Sequence, residues 1–506
     1  MIMRIKLARL IAFVVVFANI IVIYYSLRLF VSFGGFKSYY TVPTVKTSTK
    51  SPTKHISKLV TIIIREFESF ENDVAATVQS FLNVFPNIQL MIVYDSSPYP
   101  PLDINLKNGS FRNLKTVNLS PSLKVPYIER HPVLQIKTKY VLFVPDSTRI
   151  SSRQNLQYMI AELSKQPENI IVVPTSNKKD LGCLRINVNI REWTLKYSLI
   201  KGTVCDGVTG KHLILMETEI LKKLSDPFIL PFPHSLYIQT APLLIKINIL
   251  KSPSFQEGKP VLRSHHAQWK QKQVNASRLK NLYTLFQLKQ VVRETGATEW
   301  YGCTRETPRC FGPILDLMPS YLFEGKWTPP CCLSNLRKTA KHVFNSLDEA
   351  GIRYWLEAGS LLGAMRSGDI LPWDHDVDIG FNRDDLLRSP WLTKAQDKPV
   401  VDSKGFLWEK ATGGNFYRIN YSKTNKIYVN LFPFYCKNGT MTKDAWYTSH
   451  KNMEFPDNFL HPMSSIEFIG RQVPSPNNIR DFLELKFGKG AIENPEYPNP
   501  SRLPFP

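Results

Sequence analysis

The chain lacks an internal repeat, a long low-complexity tract and an arginine-rich tail. The first two absences exclude a repeat or fibrous architecture, and the third argues against nucleic acid as a partner. Acidic residues are also scarce, because 42 Asp and Glu face 64 Lys and Arg and leave a net charge of +22. That balance suits acidic partners such as nucleotides, phosphorylated glycans or anionic membranes. A generally basic surface without a specific partner is an equal alternative.

No charged residue occurs between Leu10 and Leu27, whereas three basic residues precede this run. An apolar run of this length is near the lower limit for a membrane helix, and positive charge before it predicts a cytosolic N-terminus. We therefore predict a cytosolic tail at 1–9, a transmembrane anchor at 10–31 and a flexible stem at 32–58. A cleaved signal peptide is the alternative, although no clear small-residue cleavage site follows the run.

Cysteines are few, seven in all, and the C-x-x-C pairs of common zinc fingers are absent. In the oxidising lumen predicted for most of the chain, we expect a disulfide between Cys183 and Cys205. Cys436 has no evident partner and is interpreted as a core thiol. The other four cysteines cluster in a Trp- and Pro-rich segment, where a zinc site and two disulfides are both open interpretations: Cys303, Cys310, Cys331 and Cys332. A lumenal location also makes five N-x-S/T tripeptides possible glycan acceptors: Asn108, Asn118, Asn275, Asn420 and Asn438.

The chain is long enough for two domains. Near-continuous apolar runs in "LVTIIIRE", "IQLMIVYD" and "YVLFVPD" predict buried parallel strands. A helical stretch between the first two completes a βαβ unit, so we predict an α/β domain at 59–290 and a Cys-rich bridging segment at 291–333. The layout resembles the nucleotide-sugar-binding fold of many glycosyltransferases, which place D-x-D after such a strand. Here Asp146 is the only acid in "PDSTR", so we interpret it as capping a loop, and the domain as scaffold or substrate-recruiting.

A second domain is predicted at 334–506, opening with an amphipathic helix from Ser334 to about Gly351. Three carboxylates then crowd into "DHDVDIG": Asp374, Asp376 and Asp378. On a strand, Asp376 and Asp378 would share one face. Two carboxylates so close are tolerable when a divalent cation lies between them, and their hard oxygens suit Mg²⁺ or Mn²⁺. Asp374 would bind a second ion or orient water.

Gly359 and Ser360 precede these acids and open a helical turn whose N–H groups suit phosphate. A Gly-Ser turn followed by Asp-x-Asp on a strand is the nucleotidyltransferase arrangement. A loop with solvated acids is the alternative, and the apolar neighbours of the acids argue against it. Arg366 follows the Gly-Ser helix, where phosphate contact and a solvated charge are equal interpretations. We expect His375 to point away from Asp376 and not to be a ligand.

The stretch "YWLEAGSLLGAMRSGDILPWDHDVDIG" resembles the LicD-type phosphotransferase family, which contains the bacterial phosphocholine transferases and fukutin. The resemblance continues through "REWTLKYS", "TPPCCL", "NGTMTKDAW" and "FLELKFGKGAIENPEYPNP". It implies a glycosyltransferase-like α/β stem domain joined to a nucleotidyltransferase-like catalytic domain. It also implies a self-associating single-pass type II protein of the Golgi membrane, with fukutin-like transferases as further possible partners. At the four clustered cysteines it implies structural zinc.

For activity, the resemblance implies metal-dependent transfer of ribitol 5-phosphate from CDP-ribitol to a phosphorylated O-mannosyl glycan of alpha-dystroglycan, with release of CMP. One residue departs from the family pattern, because "YVNLFPF" has Asn430 where a catalytic Asp is expected. An amide oxygen can ligate a cation but accepts a proton poorly. Three outcomes remain open: Asp374 acts as the base, the enzyme is slowed, or the chain is a Golgi glycan-binding or scaffold protein.

Overall fold

The computed structural model describes Ile21 and residues 52–99, 101–102, 113–175, 181–253, 255–308, 311–315, 318–445 and 453–494. Within these ranges no helix combines the length and the hydrophobicity needed to cross a bilayer. The anchor predicted at 10–31 lies outside the described residues except for Ile21, as do the tail at 1–9 and most of the stem.

The first part of the chain alternates strands and helices. Its helices are α1 (Pro52–Leu59), α2 (Val74–Val84), α3 (Tyr127–Arg130), α4 (Pro132–Gln135), α5 (Arg153–Leu163), α6 (Thr218–Lys222), α7 (His234–Thr240) and α8 (His265–Leu285). Its strands are β1 (Val60–Ile64), β2 (Gln89–Tyr94), β3 (Leu114–Asn118), β4 (Tyr140–Phe143), β5 (Thr148–Arg149), β6 (Ile170–Pro174), β7 (Gly182–Asn189), β8 (Thr194–Ile200), β9 (Val204–Cys205), β10 (Gly207–Thr209), β11 (His212–Glu217), β12 (Ile247–Ile249), β13 (Gln256–Glu257), β14 (Gln290–Val292) and β15 (Thr298–Trp300).

Eight of these strands form one sheet in the order β3-β2-β1-β4-β11-β6-β12-β9. β1 pairs in parallel with β2 on one side and β4 on the other. Every side chain of β1 and β4 is buried, which explains their uninterrupted apolar sequences. A five-stranded sheet, β10-β7-β8-β14-β15, shares a hydrophobic core with the first. The first half of the chain therefore has a mixed α/β fold.

The bridging segment predicted from residue 291 does not begin as a separate unit. β14 pairs in parallel with β8, and β15 pairs with β14, so both strands extend the five-stranded sheet. The sequence hides this because both strands are short, and β8, the partner of β14, lies almost a hundred residues earlier.

The second half contains β16 (Ile314–Leu315), β17 (Met318–Pro319), α9 (Ser320–Phe323), α10 (Pro330–Glu349), β18 (Tyr354–Leu356), α11 (Ala358–Ser367), β19 (Asp376–Asn382), α12 (Pro390–Ala395), β20 (Val400–Val401), β21 (Leu407–Lys410), β22 (Tyr417–Asn420), β23 (Tyr428–Lys437), β24 (Thr440–Thr442), β25 (Phe455–Pro456), β26 (Ser464–Phe468), β27 (Arg471–Ser475) and α13 (Ile479–Phe487), with 3₁₀ helices at Arg383–Arg388 and Asp457–Leu460. Its main sheet has the order β18-β19-β23-β22-β21-β20.

Helix α10 packs against this sheet through the apolar stripe that the sequence predicts, including Val343, Phe344 and Leu347. The helix begins at Pro330 rather than at Ser334. Proline is favoured in a first helical turn because the N–H that it lacks would have no intrahelical partner there. The earlier start places Cys331 and Cys332 inside the helix.

Candidate active site

Two neighbouring parallel strands carry the polar centre of the second domain. In the pairing of β19 with β23, Asp376 lies opposite Tyr428 and Asp378 lies opposite Asn430. Asp376 and Asp378 share a face, because the Asn430 amide nitrogen donates to both, at 3.0 Å to Asp376 Oδ2 and 2.9 Å to Asp378 Oδ1. The residue that departs from the family pattern therefore lies between the two acids.

The Gly-Ser turn lies directly against these acids. Helix α11 begins at Ala358, and the Ser360 hydroxyl accepts a hydrogen bond of 2.8 Å from the Asp378 backbone N–H. The Glu357 N–H donates to the Asp378 carbonyl at 3.0 Å. A Cβ at Gly359 would lie 2.8 Å from Asp374 Oδ2, so only glycine permits this approach. The turn and the acids, sixteen positions apart in sequence, therefore form one cluster.

The electrostatics of the cluster favour a bound cation. Burial, followed by the charge of Asp376, raises the pKa of Asp374 to about 8. Burial, followed by the charge of Asp378, raises the pKa of Asp376 as well. Carboxylates buried side by side are costly without an opposing charge. Their oxygens are hard ligands, so this donor set fits Mg²⁺ or Mn²⁺.

His375 is closer to the acids than the sequence predicts. Its Nδ1 lies 4.0 Å from Asp374 Oδ1, and its Nε2 lies 4.0 Å from Asp376 Oδ2. Potential ligand atoms of Asp374, His375 and Asp376 all lie within 4.8 Å of one another. The expectation that His375 points away was wrong. Strand β19 begins only at Asp376, so strict alternation of faces does not extend back to His375.

Two cations near the site were not singled out from the sequence. Arg418 Nε donates to Asn430 Oδ1 at 3.3 Å, and its guanidinium lies 4.5 Å from the Tyr428 ring centre. Buried Lys443 lies over Phe432 at 4.3 Å. Burial lowers the pKa of Lys443 to about 8, against the opposing effect of Asp378. Lys443 falls within the motif "NGTMTKDAW", which was a usable signal, whereas Arg418 is recognisable only from the pairing of β22 with β23.

Arg366 is not brought to the acids. It lies in the last turn of α11, six residues and about 9 Å of helix beyond Ser360. Its guanidinium donates to the Ala491 carbonyl. The structure therefore gives a phosphate-binding role for Arg366 no support.

The clustered cysteines lie beside the site. Cys303 is paired with Cys331, and Cys332 is also disulfide-bonded, whereas Cys310 lies outside the described residues. Phe311, from the same segment, packs edge-on against the His375 ring at 5.9 Å. These positions fit the disulfide interpretation, and zinc stays a prediction.

The structure also describes the three remaining cysteines and Asp146. Cys183 and Cys205 form the predicted disulfide. Cys436 is exposed and its Sγ donates to Asp457 Oδ2 at 3.3 Å, so its interpretation as a core thiol was wrong. It lies near the end of β23, beyond the buried part of that strand. In the first domain, the Asp146 carboxylate accepts hydrogen bonds from the Asp73 and Ser147 N–H groups, the loop-capping role that the sequence favours.

Comparison with known proteins identifies both halves. Residues 46–294 match a family model described as the fukutin-related protein stem domain, and residues 351–478 match the LicD/FKTN/FKRP nucleotidyltransferase domain. The chain is 42% identical over 452 residues to the mouse protein "Ribitol 5-phosphate transferase FKRP", covering 89% of this chain and 91% of the mouse protein. It is 41% identical over 445 residues to the human protein of that name, covering 88% and 89%.

Among solved structures, S. aureus TarS 1-349 in complex with UDP-GlcNAc matches 44% of this chain and 67% of its own, at 16% identity and a TM-score of 0.27. A likeness that weak carries no information about function. The sequence relationships to the mouse and human proteins do carry information about function, because they extend over nearly the whole of both relatives. The chain belongs to the fukutin-related protein family, and it is a transferase of that family.

Proposed function

We propose that this protein transfers ribitol 5-phosphate from CDP-ribitol to a phosphorylated O-mannosyl glycan of alpha-dystroglycan, releasing CMP. The observation that carries the proposal is the convergence of Asp374, Asp376 and Asp378 on the Gly359–Ser360 turn. The names of the mouse and human relatives, ribitol 5-phosphate transferases, support ribitol 5-phosphate as the transferred group. The donor nucleotide and the acceptor come from the resemblance to the family.

In this proposal Asp376 and Asp378 hold Mg²⁺ or Mn²⁺, and His375 lies within reach as a further ligand. When bound, the ion would neutralise the donor diphosphate and the charge that builds on the CMP leaving group. Asn430 fixes the two carboxylates by donating to both. Arg418 and Lys443 supply positive charge beside the same strands, where an anionic donor would bind.

Asp374 is our candidate for the general base. Its carboxylate lies beside Gly359, and its backbone is fixed by the Thr328 hydroxyl, which donates to the Asp374 carbonyl at 2.6 Å. Burial raises the pKa of Asp374, so its carboxylate accepts a proton more readily than an exposed aspartate. Asn430 cannot take this role, because its amide has no basic site at neutral pH.

Structural zinc at the cysteine cluster is part of the proposal, with two disulfides as the competing chemistry. The family resemblance supports it, whereas the disulfide between Cys303 and Cys331 fits the competing chemistry. Zinc analysis and thiol titration of the purified full chain would distinguish the two. One zinc per chain is expected, whereas absence of both zinc and free thiols would establish disulfides.

We also propose that the protein is a single-pass type II membrane protein of the Golgi, with a glycosyltransferase-like stem domain and self-association. The basic, then apolar, N-terminal sequence supports the anchor. Resistance of an N-terminal epitope-tagged chain to release from Golgi membranes by carbonate would support it. Recovery of the soluble chain without its first residues would instead indicate a cleaved signal peptide.

The test of activity uses the full chain in detergent with CDP-ribitol, Mg²⁺ or Mn²⁺ and a phosphorylated O-mannosyl acceptor. We expect CMP release that EDTA abolishes and that Asp378→Asn reduces by at least about a thousandfold. The matched control is Asp397→Asn, because that residue is exposed. CMP release unchanged in Asp378→Asn would contradict the proposed site.

A glycan-binding or scaffold protein is the second candidate. The observation that favours it is the pair of hydrogen bonds from Asn430, which partly satisfies Asp376 and Asp378 without an ion. In that case the chain would bind the phosphorylated acceptor tightly and release no CMP under any metal condition.

A further inference from the structure

The first domain contains a crevice that the proposed reaction does not use. In the sheet order β3-β2-β1-β4, the chain moves from β1 outward to β2 and β3, and then crosses to β4 on the other side of β1. Such a reversal leaves a gap between the loops that follow the two central strands, and ligands of open α/β sheets bind there. A cavity of about 530 Å³ lies at this point, between Glu66 and Glu68 after β1 and Asp146 after β4.

A buried carboxylate in this crevice lacks a partner on one oxygen. Glu68 is 8% exposed and lines the cavity. Its Oε1 accepts from Arg278 at 2.7 Å, but its Oε2 is buried and has no hydrogen-bond donor among the described residues. An unsatisfied buried oxygen costs about 1–3 kcal/mol. A ligand that donates a hydrogen bond to Glu68 would remove that cost.

The rest of the lining includes further carboxylates and two aromatic rings. Asp146 is fixed by the Asp73 and Ser147 N–H groups. Burial raises the pKa of Glu66 to about 7 and that of Asp146 to about 6. Phe67 and Phe232 add apolar surface. Five acids and three basic side chains line the cavity: Glu66, Glu68, Glu71, Asp146 and Glu257, with Lys211, Lys259 and Arg278.

The carboxylates and aromatic rings of the crevice indicate which class of ligand it binds. The excess of carboxylates disfavours a phosphate or another anion. Hydroxyl groups donate well to carboxylate oxygens, and aromatic rings offer a surface for the apolar face of a pyranose. We propose that this crevice is a binding site for a neutral sugar, in which a sugar hydroxyl donates to Glu68 Oε2.

Asn275 also lines the crevice and begins an N-x-S tripeptide, so a glycan attached there would compete for the space. Ser277→Ala removes the acceptor sequence without changing a lining residue, because Ser277 is exposed. The test therefore uses the full chain carrying Ser277→Ala, in a detergent without a sugar head group.

The probes are the methyl glycosides of mannose, galactose and N-acetylglucosamine, each followed by saturation-transfer NMR and titration. We expect at least one to bind, and Glu68→Gln to weaken it by about tenfold or more, because Gln presents a donor where an acceptor is needed. Glu219→Gln is the matched control, since Glu219 is an exposed glutamate outside the crevice. If Glu68→Gln lowers the melting temperature, Glu66→Gln gives the same test.

Three results would overturn the proposal: no saturation transfer from any of the glycosides, binding unchanged in both variants, or Mn²⁺ binding at the crevice without sugar binding. CMP release measured on the same samples keeps this site separate from the proposed reaction. We expect Glu68→Gln to leave CMP release unchanged with a saturating acceptor.

Discussion

At the scale of single residues, Asn430 sets the charge of the candidate active site. It replaces a carboxylate by an amide that donates to Asp376 and Asp378. The two acids thereby gain hydrogen bonds in place of a third like charge. The amide lowers the cost of the site in the absence of an ion, and it also removes one possible ligand charge.

We expect Asn430→Asp to keep or raise CMP release and to make stability depend more strongly on the ion. Without metal, the third carboxylate should lower the free energy of unfolding by about 2 kcal/mol or more, because two hydrogen bonds become charge repulsion. Melting in EDTA and in Mn²⁺, together with CMP release, measures both effects. A large loss of activity with intact melting would show that the site is organised differently.

Gly359 is the second residue on which the site depends. In Gly359→Ala the new Cβ would meet Asp374 Oδ2 at 2.8 Å, so the carboxylate must move. We expect CMP release to fall by at least about a hundredfold, since a misplacement of about 1 Å has that effect. The loss of stability should be only about 1 kcal/mol.

The control for that variant is Gly325→Ala. Its φ of +69° makes alanine unfavourable, by about 1 kcal/mol, and nothing lies within 4 Å of the added Cβ. The two variants should melt alike and differ in activity. Equal CMP release by the two variants would show that Gly359 and Asp374 are not part of the active site.

At the scale of elements, helix α10 supports the sheet that carries the acids. Phe344 is fully buried and packs against Tyr354 and Phe468, with ring centres 5.8 and 6.3 Å away. Tyr354 lies on β18, next to β19. The helix therefore fixes the edge of the sheet from which the Gly-Ser turn departs.

We expect Phe344→Ala to lower the free energy of unfolding by about 3–5 kcal/mol, because it leaves a cavity in the core. Urea unfolding of the variant and of Lys341→Ala, at an exposed position of the same helix, would measure this. A loss below about 1 kcal/mol would mean that the core relaxes around the missing ring.

At the scale of the whole molecule, the first domain contains buried neutral histidines. Burial lowers the pKa of His212 and of His234 to about 4. His212 Nδ1 lies 2.6 Å from the Gly210 carbonyl and its Nε2 contacts the Tyr237 hydroxyl, while His234 lies 2.7 Å from the Tyr197 hydroxyl. The unfolded chain would bind protons at these positions at a higher pH than the folded chain does.

The contribution of each histidine to the free energy of unfolding should therefore be complete above pH 6.5, and up to about 3 kcal/mol of it should be lost as the pH drops from about 6.5 to about 4. Melting at pH 7.5 and 5.0 would show this, and His212→Gln should reduce the difference. His265→Gln, at an exposed histidine, should leave it unchanged. Parallel losses in all three proteins would assign the effect to other groups.

The sequence by itself determined the strand types, the apolar stripe of helix α10 and the shared face of Asp376 and Asp378. Uninterrupted apolar runs require burial on both faces, so β1 and β4 were recognisable, and a period-two pattern put Asp376 and Asp378 on one face. Spacing also identified the Gly-Ser turn, because the start of a helix is a local feature of the sequence.

Only the tertiary structure decided which residues meet through the pairing of strands that are distant in sequence. The pairing of β19 with β23 placed Asn430 between the acids, and the pairing of β22 with β23 brought Arg418 to Asn430. Residues distant in sequence meet only through the sheet, and no local pattern records which strands pair. For the same reason the unsatisfied oxygen of Glu68 was invisible until β1 and β4 were placed side by side.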